Sequence, residues 1–165
     1  MTATPLLQGL PPVVGDGARL LILGSFPSVQ SLTLRQYYAN PRNAFWRITG
    51  RLFGFDVSEP YHHRLAALRS NGVALWDVLD QCRRRGSADA AIDPKSVVVN
   101  DFAELFNTCP GITQVYFNGA AAATMFGRLV DVRRAVRLQQ LPSTSPAHTM
   151  PLPDKLAAWQ VISPL

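Results

Sequence analysis

Cysteine is nearly absent from this 165-residue chain: Cys82 and Cys109 are the only two, far apart in the sequence. A cysteine-ligated zinc site or an iron–sulfur cluster normally draws on four ligands, so both are excluded. Two such thiols are expected to stay reduced in a cytosolic protein. His62 and His63 are adjacent, and on a helix they would point about 100° apart, which makes a poor metal pair. No metal and no other cofactor is therefore expected. Lysine is scarce too. Lys95 and Lys155 are the only two, so the other 14 of 16 basic residues are Arg, set against 11 acidic residues for a net charge of +5. Arg is the side chain suited to bidentate phosphate contacts, and a basic balance favours an anionic partner.

Long hydrophobic runs are missing, and none approaches the roughly 20 residues needed to cross a bilayer. Residues 1–18 carry three prolines and neither Lys nor Arg, unlike a signal peptide. These absences predict a soluble, cytoplasmic protein with no membrane partner. No G-x-G-x-x-G or G-x-x-x-x-G-K-[ST] follows an apolar run, and no G-x-S-x-G elbow is present. The common dinucleotide, P-loop and serine-hydrolase sites are thus excluded.

What is present centres on residues 19–46, RLLILGSFPSVQSLTLRQYYANPRNAFW. Leu20 to Leu23 read as a buried strand stopped at Gly24. A connection of about twenty residues follows, too long for a plain linker. It carries aromatic faces (Tyr37, Tyr38), amides (Asn40, Asn43), small hydroxyls (Ser25, Ser28) and Arg42, groups suited to holding a flat polar heterocycle. Helices are predicted over 44–53 and 61–70, a second strand over 73–76, and a long polar stretch over 80–95 containing the dense positive cluster Arg83, Arg84 and Arg85. A third helix opens at Asp101 with Glu104 as a capping box and ends near Cys109. A strand over 113–117, a small-residue helix over 120–129, a strand over 136–140 and a last helix over 154–162 complete the chain. Strands separated by helices predict one α/β domain spanning 1–165, with 1–18 as an N-terminal extension. It is a three-layer α/β/α arrangement around a four-stranded parallel sheet.

In such a sheet, ligands sit beyond the carboxyl ends of the strands. Four strand ends then share one rim: the Gly24 turn, Trp76-Asp77, Asn118-Gly119 and the stiff loop Leu141-Pro142-Ser143-Thr144-Ser145-Pro146-Ala147-His148-Thr149. Hydroxyls and free amides of that loop are standard phosphate contacts.

The order GSFPS, YYANPRNAFW, GVALWDVL, VYFNG and LPSTSPAHT resembles the uracil-DNA glycosylase superfamily, most of all its hypoxanthine-DNA glycosylase branch. The resemblance covers nearly all of the chain from Arg19 on. It implies a monomeric, monofunctional DNA glycosylase of base-excision repair, acting on DNA and hydrolysing the N-glycosidic bond of a flipped deaminated base with water. The family's first motif carries a polar residue that positions the water; Phe26 stands at that place here. Asn43 is the match for the catalytic Asn of the hypoxanthine branch, with Ser25 and Asn40 as the other polar candidates in the same connection. Leu141 stands where several relatives have His. The resemblance further implies base contacts from Phe26, Tyr38, Asn40, Trp76, Asp77 and Asn118. DNA contacts would come from Ser28, Arg42, Ser143, Thr144, Ser145, Pro146, Ala147 and His148. Two other readings fit the same crevice: a nucleic-acid-binding module without turnover, and a small-molecule or nucleotide hydrolase.

Overall fold

The computed structural model describes residues 4–164. Its main sheet contains β2 (Leu20–Gly24), β3 (Val73–Asp77), β6 (Gln114–Asn118) and β7 (Arg137–Leu141). Their order across the sheet is β3-β2-β6-β7, and every pairing is parallel. Because side chains alternate along a strand, β2 feeds both cores. Leu21 and Leu23 pack with Phe102, Phe106 and Phe126 from α4 (Phe102–Thr108) and α5 (Ala120–Leu129). Leu20 and Ile22 pack on the opposite face with Phe45, Leu68 and Trp159. Those three come from α2 (Phe45–Phe53), α3 (Tyr61–Ser70) and α6 (Leu152–Trp159). Leu20 to Leu23 are each at most 2% exposed, and each such side chain stabilises the fold by about 1.5–3 kcal/mol. The three-layer parallel arrangement is the one the alternation of strands and helices predicts.

A second, antiparallel sheet was not visible in the sequence. β1 (Leu6–Gln8) pairs with β4 (Leu79–Arg83), which pairs with β5 (Val98–Val99). Only Val78 separates β3 from β4, and its amide donates to the Gly24 carbonyl at 2.8 Å. The polar stretch after Asp77 therefore opens as a strand and continues as turns and a 3-10 segment. Its burial lacks the alternation of a plain strand because the register shifts between Leu79 and Gln81, leaving Leu79 and Cys82 buried three apart. Residues ahead of β2 are part of the same structure: β1 lies in this sheet, and Val13 exchanges two 2.9 Å backbone hydrogen bonds with Leu75 on the edge of β3.

The connection after Gly24 is also more ordered than expected. It contains α1 (Val29–Leu34), which starts where the Ser28 hydroxyl caps the Ser31 amide at 3.1 Å. The last helix begins two residues earlier than predicted, and residues 160–162 are a 3-10 turn rather than α-helix.

Candidate active site

The carboxyl ends of β2, β3, β6 and β7 open onto one cavity of about 340 Å³. Gly24 forms its floor. Four segments supply its walls: the 25–28 turn, the 37–43 loop, residues 87–89, and the 143–147 loop.

The 37–43 loop is pinned from behind. The Tyr37 hydroxyl donates to the Pro11 carbonyl at 2.7 Å, and the Trp46 indole donates to the Tyr37 carbonyl at 3.0 Å. Tyr38 adopts φ +54°, a left-handed conformation rare for a bulky residue. The ring of Tyr38 stacks on Phe45 with centroids 4.0 Å apart. Its hydroxyl is buried with no hydrogen-bond partner. Burial first, then the charge of Asp77, raise the pKa of that phenol.

Asp77 is the last residue of β3 and lies in register with Gly24. It is 4% exposed. Its Oδ1 stands 2.6 Å from where a Cβ on Gly24 would lie. Its Oδ2 is buried without a partner. Burial, with Asp89 adding to it and Arg84 opposing, pushes the carboxyl up to about 7. The other amide and carboxyl side chains of the cavity each accept a hydrogen bond. Asn40 Oδ1 accepts from the Arg42 amide at 3.0 Å, and Asn43 Oδ1 from the Phe45 amide at 2.9 Å. Asn118 Oδ1 accepts from the Thr144 amide at 2.9 Å, and Asp89 Oδ1 from the Ser25 hydroxyl at 2.5 Å. Among the described residues, Asp77 is the one cavity carboxyl with no hydrogen bond to either oxygen.

The 143–147 loop is held by Asn118, whose Nδ2 also donates to Thr144 Oγ1 at 2.9 Å. Thr144 is 1% exposed, and its carbonyl accepts from the Ala44 amide at the start of α2. Ser143 Oγ accepts from the Ser145 amide at 3.1 Å, and Ser145 Oγ from the Ala147 amide at 3.2 Å. Both serine hydroxyls therefore keep their protons for an acceptor outside the loop.

Most of the residues singled out in the sequence meet in this cavity: Ser25, Phe26, Ser28, Tyr38, Asn40, Asn43, Asp77, Asn118, Ser143, Thr144, Ser145, Pro146 and Ala147 all line it. Trp76 does not. As the neighbour of Asp77 on a strand it points to the opposite face, where it packs edge-on to Phe102 and donates its indole N–H to the Leu10 carbonyl at 3.2 Å. A base contact from Trp76 is thus ruled out by its place in the core. A phosphate contact from the Thr144 side chain is ruled out in the same way, since Asn118 and burial hold it inward. Arg42 and His148 stand outside the cavity, in a neighbouring recess.

Asp89 and Arg84 were missed. Asp89 reaches the cavity from a 3-10 turn far along the chain, with no local pattern to mark it. Arg84 is 3% exposed, with its guanidinium 5.2 Å from the Phe26 ring. It donates to the Pro27 carbonyl at 2.6 Å and the Gly86 carbonyl at 2.7 Å, and so braces the 25–28 turn from beneath. Arg83 and Arg85 bond Thr4. These three arginines, the densest positive cluster in the sequence, serve in the present structure to tie segments together.

Among the described residues, no three His, Cys, Asp or Glu side chains gather as a metal would require. No helix among them is long and apolar enough to cross a membrane.

Comparison with known proteins agrees with this geometry. The family model described as the uracil DNA glycosylase superfamily matches residues 11–163. A protein of Methanosarcina barkeri named hypoxanthine DNA glycosylase is 36% identical over 155 residues, covering 92% of this chain and 94% of its own. One of the same name from Methanosarcina acetivorans is 33% identical over 156 residues, covering 94% and 96%. The solution NMR structure of a candidate uracil DNA glycosylase from Methanosarcina acetivorans superposes with a TM-score of 0.77 at 31% identity, over 95% of this chain and 96% of that one. This chain belongs to the uracil-DNA glycosylase superfamily.

Proposed function

We propose that this chain is a monofunctional DNA glycosylase that hydrolyses the N-glycosidic bond of a deaminated base turned out of the stack into the 340 Å³ cavity. It acts as a monomer, in the cytoplasm, with water as nucleophile. The observation that carries this reading is the uncommitted Asp77 carboxyl at the cavity floor. Deamination of adenine or cytosine turns a ring nitrogen from a bare acceptor into an N–H beside a new carbonyl. Ionised above about pH 7, Asp77 accepts from that N–H, whereas the parent base would turn a lone pair toward the carboxylate. A buried polar site that leaves a wrong partner unpaired discriminates by on the order of 10⁴. Hypoxanthine and uracil both carry the required N–H and carbonyl.

The remaining parts take complementary roles. Phe26 and Tyr38 supply flat faces and Asn40 an amide edge. Asn118 acts through Thr144, fixing the loop whose Ser143 and Ser145 hydroxyls meet the DNA backbone. Asn43 is the residue proposed to position the water. Its Oδ1 retains a second lone pair beside the Phe45 bond, and its Nδ2 makes no hydrogen bond among the described residues. Ser25, bonded to Asp89, lines the same cavity. Breaking the bond builds negative charge on the departing base, and preorganised dipoles lining the cavity stabilise it.

The test is a panel of single- and double-stranded oligonucleotides carrying hypoxanthine, uracil, xanthine or an unmodified base, with alkaline strand scission as readout. Scission confined to deaminated bases supports the reading. Tight binding without scission anywhere on the panel would instead make the chain a binding module.

A further inference from the structure

On the outer side of the 143–147 loop lies a second recess, of about 330 Å³, lined by Arg42, Arg47, His148, Thr149 and Lys155 and by no carboxylate. Lys155 is the unusual member. It is 4% exposed, yet no acidic side chain pairs with it. The sole ion pair among the described residues joins Arg133 to Asp131, elsewhere on the protein. The one hydrogen bond of the Lys155 ammonium runs to the Ser145 carbonyl at 3.1 Å, which also accepts the His148 amide at 3.0 Å. That carbonyl has no lone pair left, and the ammonium has two N–H groups still to place. Burial, and then the charge of Arg47, lower the pKa of Lys155: the fold holds cations together here without an anion. Arg42 and Arg47 are exposed, and among the described residues neither guanidinium donates a hydrogen bond.

We propose that this recess is a subsite for a backbone phosphodiester of DNA, held by Lys155 and Arg47 with Arg42 and His148 at its rim. Thr144 and Pro146 line both the recess and the base cavity, so the two are separated by a single turn of chain. A strand that delivers a base into the cavity passes its backbone over this wall. The Ser143 and Ser145 hydroxyls meet it on the cavity side and the cations on the outer side. The proposal rests on the reading that the chain binds DNA.

The experiment measures binding of a deoxyinosine duplex at a series of salt concentrations. It compares the wild type with Arg47→Ala, Arg47→Lys, Lys155→Met and, as a control of equal charge loss, Arg128→Ala. Arg128 lies in the last turn of α5, which runs away from the site. Deleting a cation that touches one phosphate is expected to lower the slope of log K against log salt by about 1. Arg47→Ala and Lys155→Met should show that drop, with binding weakened several-fold at low salt. Arg47→Lys should recover most of it, and Arg128→Ala should match the wild type. Arg47 is an exposed helix residue, so its variants fold whatever becomes of Lys155→Met. Wild-type binding and slope in the Arg47 and Lys155 variants would overturn the subsite and leave the glycosylase reading standing. A wild-type protein that binds no DNA would sink that reading and the subsite with it. Titration with inorganic phosphate gives the last arm: if phosphate saturates the recess without weakening duplex binding, its ligand is a free phosphate and the proposal fails.

Discussion

Replacing Asp77 with Asn is expected to make the protein more stable at alkaline pH and worse at its chemistry. An Asp carboxyl titrates near 3.9 in an unfolded chain, and in the fold Asp77 is pushed up to about 7 by burial and by Asp89. Between those values the native state holds a proton that the unfolded state has released. Stability from this group is therefore fully present below about pH 4 and is lost as pH rises through 7. The separation is about 3 units at 1.36 kcal/mol each, so ionised Asp77 costs the wild type about 4 kcal/mol at pH 8. At pH 4.5 most of that cost is absent. Asn does not titrate, but its amide brings an unsatisfied buried group of its own, worth about 1–3 kcal/mol. That second effect is the same at both pH values and cancels in the difference. The effect of Asp77→Asn on unfolding free energy should thus be about 3 kcal/mol more favourable at pH 8 than at pH 4.5. Urea denaturation of both proteins at the two pH values measures it. An effect that does not change with pH would refute the reasoning that Asp77 is buried, unpaired and functionally costly. Base excision by Asp77→Asn should fall most above pH 7, where the wild-type carboxyl is ionised.

Four further outcomes follow from the site. Asn43→Ala should lose the hydrogen bond to the Phe45 amide, worth about 1 kcal/mol, yet slow single-turnover cleavage by on the order of 100-fold; a rate loss matching only the lost folded fraction would reduce Asn43 to a structural residue ahead of α2. Gly24→Ala puts a methyl group 2.6 Å from Asp77 Oδ1, so it should abolish excision while leaving a cooperative melting transition, read by circular dichroism. Asn118→Ala frees both polar groups of Thr144 that Asn118 now satisfies; it should cost about 1–3 kcal/mol and raise KM more than it lowers kcat. Overnight treatment with EDTA should leave the rate unchanged, because the cavity offers amides, hydroxyls and two carboxyls rather than a ligand set; recovery of a lost rate by zinc or iron alone would contradict this.

The parallel sheet was legible in the sequence because β2 and β3 are buried along their whole length. They read as short unbroken apolar runs, Leu20 to Leu23 and Val73 to Trp76. The rim followed from that, and with it most of the cavity. The antiparallel sheet was not legible: β4 is polar at three of five positions, and its register shift breaks the period by which a half-buried strand is recognised. That concealed Asp89 and Arg84, which reach the site from beyond it. The place of Trp76 follows from strand alternation rather than from its aromatic type: its neighbour Asp77 takes the face toward the cavity. Thr144 misled because a hydroxyl in a Ser/Thr/Pro loop looks free until Asn118, supplied by β6, is seen to hold it.

Product analysis decides the glycosylase reading most directly. A deoxyinosine duplex is incubated with wild-type protein and with Asn43→Ala, and mass spectrometry follows both free hypoxanthine and the oligonucleotide. One free base should be released per abasic strand, with the strand unbroken until alkali is added and the yield strongly reduced for Asn43→Ala. Strand breaks without alkali, or no free base from any deaminated duplex, would contradict that reading.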